Sequence, residues 1–343
     1  MKIHGLLLGA AASIAASVGG AEAAKELKFA TSAPLGTPWV KHVDAIAEKI
    51  SANSDGEISA KLFHAGQLGT EPVMVQKTIR GRIDILGSSM TAFSTVVPEM
   101  ALMGVPFLWD SYAQIDCAMD KHLTTVFEPL FEKKGLKFLQ WNELGWIHAF
   151  GTKPLVTLDD VKGVKVRAAP AKYSANFWQG MGANGVVLPL AETPSAIQTG
   201  MVEGGTLPAM TYVAMGMGKL APHLTLSAHL HQSGALVMSM RTWKKLSATE
   251  QESITNALVP VQGLRDEVRN MADGMVAGFQ ENGGHVHKLS AEQRESWKTA
   301  VVPLREQLVS SIGGQAEEIW PKILEARQAA HFDLNQKGRA RPF

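Results

Sequence analysis

The chain has 343 residues, of which 45% are apolar and 19% charged. That balance supports a packed core and excludes an extended disordered chain. Its 33 basic and 32 acidic residues leave a formal charge of +1 with no block of one sign, so neither a nucleic-acid face nor a polybasic membrane patch is encoded.

At roughly 150 residues per domain, the length predicts about two domains. The first 23 residues read as an address. Lys2 precedes an apolar run from Leu6 to about Val18, and Ala21-Glu22-Ala23 gives a small-x-small cleavage pattern, the marks of a secretory signal removed after Ala23. The run is too short and too rich in Ala and Gly for a membrane span. No Cys follows the cleavage site, which excludes a lipid anchor there, and the expected destination is the periplasm. Cys117 is the sole cysteine, so no internal disulfide forms. It reads as a small buried apolar residue.

Residues 26–32 alternate as a strand. Residues 37–56 place Val40, Val43, Ile46 and Ile50 at helical spacing. A strand over 57–64, a helix over 69–81 and a strand over 82–89 follow. This strand-helix rhythm argues a parallel α/β sheet. Residues 136–151 read as extended segments. KGVKVRAAP, 162–170, alternates Val164 and Val166 with Lys165 and Arg167, the period of a half-buried strand. A helix through KYSANFWQGMG, a strand at GVVLPL, a short helix at ETPSAIQTG and the segment MVEGGTLP come next. An apolar strand is predicted over 234–242. A long helical segment runs from about Ala248 to Glu281 with an apolar stripe, kinked or broken at Pro260. The C-terminal third reads as mostly helical.

No catalytic motif is present: no GxSxG, CxxC, HExxH or phosphate-cradling Gly loop. The pairs His229/His231 and His285/His287 each fall on one face of a strand, yet neither has an acidic or Cys ligand at a typical spacing. They read as polar residues at strand ends. No metal and no cofactor is expected.

Residues 141–208 carry a resemblance. WNELGWIHAFGTKPLVTLDDVKGVKVRAAP, with Lys153, Pro154, Asp160, Lys162, Gly163, Lys165, Arg167 and Pro170, resembles the middle of the substrate-binding proteins of tripartite ATP-independent periplasmic (TRAP) transporters. MGANGVVLPLAETPSAIQTGMVEGG matches the segment that follows it there. HAGQLGTE at 64–71, VPEMALMGVPFLWD at 97–110 and the stretch from LTLSAHLH to RTWKKLSATEQ match further segments in order. The resemblance covers most of the chain after the signal segment.

It implies an α/β, two-lobed periplasmic solute-binding protein fold, with strands crossing between lobes and a long helix spanning both. Residues 24–144 plus about 233–272 would form lobe I, residues 145–232 plus about 273–330 lobe II, and 331–343 a tail. It implies that Arg167 clamps a ligand carboxylate, a task that suits the two parallel N–H donors of a guanidinium. On the strand alone, a surface ion pair worth about 0–1 kcal/mol competes with that reading. Two departures bear on the ligand. Sialic-acid-binding relatives carry a second arginine where Ile147 stands, and many members carry Asn where Leu207 stands. The expected lining is Trp39, Ser89, Phe107, Trp146, Leu207 and Tyr212, with core packing as the competing role of each aromatic. The expected ligand is a small monocarboxylate with an apolar or aromatic body. A sulfonate, or a sensing role for a membrane receptor, is the alternative. The expected partners are TRAP permease subunits, the expected state is a monomer, and a secreted enzyme is the least supported class.

Overall fold

The computed structural model describes residues 24–336. Residues 1–23, where the expected signal segment falls, and residues 337–343 lie outside the described residues. Nine strands form one sheet: β1 Lys25–Thr31, β2 Ile58–Phe63, β3 Ile85–Ser89, β4 Leu136–Gly151, β5 Lys165–Ala168, β6 Asn184–Val187, β7 Gly204–Pro208, β8 His223–Ser239 and β9 His285–Lys288. Their order is β2-β1-β3-β8-β4-β7-β5-β6, with β9 paired to β8.

The opening rhythm produces the parallel set β2-β1-β3. Parallel neighbours need a long crossover, supplied here by the helices Pro38–Asn53 and Glu71–Ile79. Helix Pro38–Asn53 buries Val40, Val43, Ile46 and Ile50, the stripe its spacing predicts. A second set, β6-β5-β7, is parallel as well.

Two strands join the sets. β4 has 16 residues and β8 has 17, against the usual 5–6 or so. At about 3.3 Å per residue each spans roughly 50 Å, enough to run through both lobes. The end of β8 pairs with β3, and its start with β9. The end of β4 pairs with β7. Their shared ladder slips at Phe138/Gln140, Glu143/Gly145 and Ile147/Ala149, and such bulges bend and twist a strand pair where they occur. Gly145, at φ 91°, takes a backbone region open mainly to glycine. The long helical segment breaks at Pro260 into helices Ala248–Asn256 and Val261–Glu281. The second packs on helix Pro38–Asn53, on β4 and on helix Ala209–Ala214, so it touches both halves.

Three expectations change. The strand predicted over 234–242 starts eleven residues earlier, at His223. Its first part alternates polar residues that read as a strand end, yet Thr225, Ser227, His229 and His231 are all 0% exposed. A central strand is covered on both faces, so these histidines sit mid-strand in the interior. The C-terminal segment also differs. Helices Arg305–Ile312 and Ala316–Gln336 pack into the first lobe's core with Met100, Ile115 and Phe127, through Leu308, Ile319, Ile323 and Ala330. The last helix runs through the expected tail boundary at 331, because its apolar spacing continues to Ala330 and the helix extends a turn beyond.

Candidate functional site

β5 delivers Arg167 between β6 and β7, in register with Val186 and Gly205. A Cβ on Gly205 would lie 3.1 Å from the Phe150 ring and 3.2 Å from Arg167 Cβ, so the missing side chain leaves room for the arginine stem. Arg167 is only 4% exposed. Its Nε donates to the Leu188 carbonyl at 3.0 Å, and its own carbonyl accepts from Trp178 Nε1 at 3.2 Å. Among the described residues no carboxylate forms an ion pair with it, and no hydrogen bond uses its two terminal nitrogens. Burial pushes its pKa down to about 10, with the Tyr173 hydroxyl and the Glu71 carboxylate pulling the other way. A buried cation normally has a paired anion.

The opposite wall comes from the first lobe. Glu71 opens helix Glu71–Ile79, where the helix dipole favours an acidic group. Its Oε1 accepts from Ser32 Oγ at 2.9 Å, Ser88 Oγ at 2.9 Å and the Ser89 amide at 3.1 Å, and its Oε2 accepts from Ser89 Oγ at 2.7 Å. Four donors hold this carboxylate, three at Oε1 and one at Oε2. Ser89 also caps the short helix Met90–Phe93 by accepting from the Ala92 amide.

Tyr173, on helix Lys172–Gly180, joins the walls. Its hydroxyl lies 2.6 Å from Thr91 Oγ1, which also accepts from Gln232 Nε2 at 3.2 Å. Burial raises the phenol pKa to about 12, so it stays protonated at neutral pH. A Cβ on Gly104 would lie 2.7 Å from the Tyr173 ring, so glycine there lets the ring seat.

The residues expected to line the cleft separate into groups. Arg167 and Ser89 come together through Glu71 and Tyr173. Trp146 and Ile147 belong to the same buried cluster as Tyr173, and Trp146 lies 5.4 Å from the rings of both Tyr112 and His231. Leu207 and Tyr212 instead pack with Phe150 and Met217, and the Tyr212 hydroxyl donates to the Ala221 carbonyl at 2.6 Å. That is the core role of a buried tyrosine whose polar tip needs a partner. Trp39 packs with Met210, Leu264 and Val268, and its Nε1 donates to the Glu143 carbonyl. Phe107 packs with Phe177 and Trp178 under the Arg294 guanidinium. Its φ of 53° is unusual for a bulky residue, and its amide donates to the His229 carbonyl at 2.6 Å.

Sequence reasoning missed Glu71, Ser32, Ser88, Thr91, Tyr173 and Gln232 as members of this arrangement. Glu71 ends the quoted HAGQLGTE segment and Ser88 precedes Ser89 at the strand end, so both were within reach. Nothing in the spacing ties them to Arg167, because that link crosses between lobes.

A second polar cluster lies along the long helix. Arg269 pairs with Asp116 at 2.6 Å and with Glu143 at 2.8 Å, and Arg265 pairs with Asp120 at 2.6 Å and Asp116 at 3.2 Å. His231 Nε2 lies 2.8 Å from Glu143 Oε1. Burial alone would raise the Glu143 pKa, but His231 and Arg269 hold it below the usual carboxylate value.

Comparison with known proteins gives this geometry a context. Residues 29–311 match the family described as bacterial extracellular solute-binding protein, family 7. The sialic acid-binding periplasmic protein of Vibrio cholerae is 26% identical over 90% of this chain and 94% of its own. The C4-dicarboxylate-binding periplasmic protein of Rhodobacter capsulatus is 22% identical over 92% and 96%. The crystal structure of a sugar acid binding protein from Advenella mimigardefordensis with galactonate superposes with a TM-score of 0.84, at 26% identity, covering 90% of this chain and 99% of that one. A TRAP periplasmic solute-binding protein from Desulfovibrio desulfuricans with bound sn-glycerol-3-phosphate gives 0.82 at 25% identity, covering 90% and 97%. The two-lobed sheet with crossing strands is therefore that of the TRAP solute-binding proteins, and the chain belongs to family 7 of the bacterial extracellular solute-binding proteins.

Proposed function

We propose that this protein captures a small organic monoanion in the cleft between its lobes and delivers it to a TRAP membrane permease from the periplasm. The observation that carries the reading is Arg167: a guanidinium 4% exposed with no carboxylate partner among the described residues. An anion entering beside it gains a shielded, two-pronged pair.

The finer ligand class rests on what surrounds that cation. Glu71 already places one negative charge on the facing wall, so a second ligand carboxylate would meet a like charge. Ile147 stands where sialic-acid-binding relatives hold a second arginine, and it is buried and apolar. These features favour a monocarboxylate with an apolar or aromatic body, with a sulfonate as the rival anion for the same arginine. The relatives whose names or complexes specify a sugar acid, a sialic acid or a dicarboxylate share the acidic handle and differ in the body. The protein carries out no covalent chemistry in this reading, works as a monomer, and reaches its compartment through the segment removed after Ala23. A sensing role would use the same cleft.

Calorimetric titration with three ligand sets tests it: apolar and aromatic monocarboxylates, matching sulfonates, and hexuronates with sialic acid and C4-dicarboxylates. Tight binding confined to the first set is expected. Tight binding of hexuronates or dicarboxylates with none of apolar monocarboxylates would sink the ligand class and leave the anion clamp standing.

A further inference from the structure

We propose that Cys117, His122 and Asp333 form a binding site for a single zinc ion, remote from the ligand cleft, where the last helix packs on the helix Tyr112–Ala118. Each residue offers one ligand atom, and the three atoms lie within 4.8 Å of one another. Zinc bonds of about 2.0–2.3 Å to oxygen, nitrogen and sulfur separate tetrahedral ligand atoms by roughly 3.3–3.8 Å. Cys117 Sγ and Asp333 Oδ2 are 3.7 Å apart.

The backbone is shaped for this grouping. Helix Tyr112–Ala118 continues into a π-helical turn over Met119–Leu123 before helix Thr124–Lys133. In a regular α-helix, residues five apart point about 140° away from each other around the axis. A π-turn bonds residue i to i+5 and brings such residues onto one face. Cys117 and His122 are five apart. Cys117 lies two residues before the turn and His122 within it, and both come close to Asp333 on helix Ala316–Gln336. Single π-turns of this kind concentrate at functional sites.

The side chains agree. His122 Nε2 is buried and has no hydrogen-bond partner among the described residues, a cost that a metal bond would remove. Asp333 Oδ2 is neutralised by the Lys121 ammonium, whose side chain is 47% exposed and can swing into water. A cation is thus already accommodated at this point. Thiolate, imidazole and carboxylate together suit borderline-soft zinc far better than magnesium or calcium, and three protein ligands leave a fourth position for water. Binding would fasten the C-terminal helix to the first lobe.

Untagged mature protein, stripped with chelator, provides the test. Cobalt(II) serves as the spectroscopic probe, and zinc is then added in competition. The expected results are a thiolate-to-cobalt charge-transfer band at one ion per chain, its loss on zinc addition, and a zinc-dependent rise in Tm. Cys117→Ser should abolish the band. His122→Gln and Asp333→Asn should each weaken binding at least about 10–100-fold, the loss that even outer-shell partners cost. Lys121→Ala should tighten binding by removing the competing ammonium, and circular dichroism checks the fold of every variant. Absence of both the band and the Tm shift in wild-type protein overturns the assignment. Unchanged affinity in both His122→Gln and Asp333→Asn overturns it as well, since the thiol alone would then hold the ion.

Discussion

The buried arginines of the long helix and the buried arginine of β5 solve the same problem in opposite ways. Arg265 is 1% exposed and faces Asp116 and Asp120, and Arg269 is held by Asp116 and Glu143. Their desolvation is offset inside the fold, and their pKa values stay raised despite burial because those carboxylates outweigh it. Arg167 is almost as buried, yet it holds one carbonyl and no carboxylate, and its pKa falls. The matched cluster ties β4, β8 and the long helix, which run through both lobes, to helix Tyr112–Ala118 and the π-turn that follows it. Its charges serve architecture. The unmatched one, on β5, is the residue proposed to hold the ligand anion.

The largest effects should separate the two. Arg269→Ala leaves Glu143, which is 1% exposed, with His231 as its one remaining ion-pair partner, so unfolding in urea should show a loss of up to about 3–5 kcal/mol, the cost of breaking a buried pair outright. Arg167→Ala should do the reverse. The ligand-free protein should keep its stability or gain a little, since an unpaired buried cation is removed. Ligand binding should fall by on the order of 3–5 kcal/mol, about two to four decades in Kd. Arg167→Lys should recover only part of that, because an ammonium keeps the charge without the fork. If calorimetry finds near-wild-type affinity in folded Arg167→Ala, the division between structural and ligand-binding arginines fails.

The sequence carried this division unevenly. Alternation and helical spacing made β1, β2, β3, β5 and the helices Pro38–Asn53 and Glu71–Ile79 legible, because each is set by local burial. The role proposed for Arg167 rests in the sequence only on its ordered neighbours from Lys153 to Pro170. The length of β8 was not legible: Thr225, Ser227, His229 and His231 look like a strand leaving the core, and only the covering of both faces hides them. The Glu71 cradle was not legible either. Ser32, Glu71, Ser88 and Ser89 belong to three segments that meet only once the parallel sheet has formed. Tyr212 and Trp39 were read as lining because large aromatics suit either role. Their hydrogen bonds to Ala221 and Glu143 carbonyls place them in the core.

The buried histidines sharpen the comparison at a lower energy. His148 Nδ1 accepts the Ala228 amide at 3.1 Å, which needs an unprotonated nitrogen. Burial, with Arg294 beside it, pushes its pKa down to about 3. His229, stacked on Phe177 with ring centroids 4.0 Å apart, is likewise held well below 6.5 by burial, by His148 and by Arg294. Both folded values lie below the unfolded one. Their contribution is therefore complete above pH about 6.5 and is lost as pH falls toward 3, at up to about 1.4 kcal/mol per pH unit for each group. Urea midpoints should drop between pH 7 and pH 5, before carboxylates titrate. His148→Gln should reduce that slope by about one group's share. An unchanged slope would assign the acid sensitivity elsewhere.

The smallest effect concerns Tyr173, which bridges the lobes without carrying charge. Its hydroxyl and Thr91 Oγ1 are 2.6 Å apart, and Thr91 keeps Gln232 as a second partner at 3.2 Å. Tyr173→Phe therefore removes one hydrogen bond without orphaning the threonine. The expected cost is about 0.5–1.5 kcal/mol, the net worth of a neutral bond. Because the bond joins the two walls of the cleft, the loss should appear in ligand affinity as a factor of up to about ten. Thr91→Val should cost more, because it leaves the buried Tyr173 hydroxyl and the Gln232 amide without this partner, and the double variant should lose less than the sum of the two, as coupled partners do. Calorimetry on the three variants checks this. A loss beyond about two decades in Tyr173→Phe would mean that the hydroxyl touches the ligand itself, and the neutral side of the cleft would then have to be counted with Arg167 as part of the clamp.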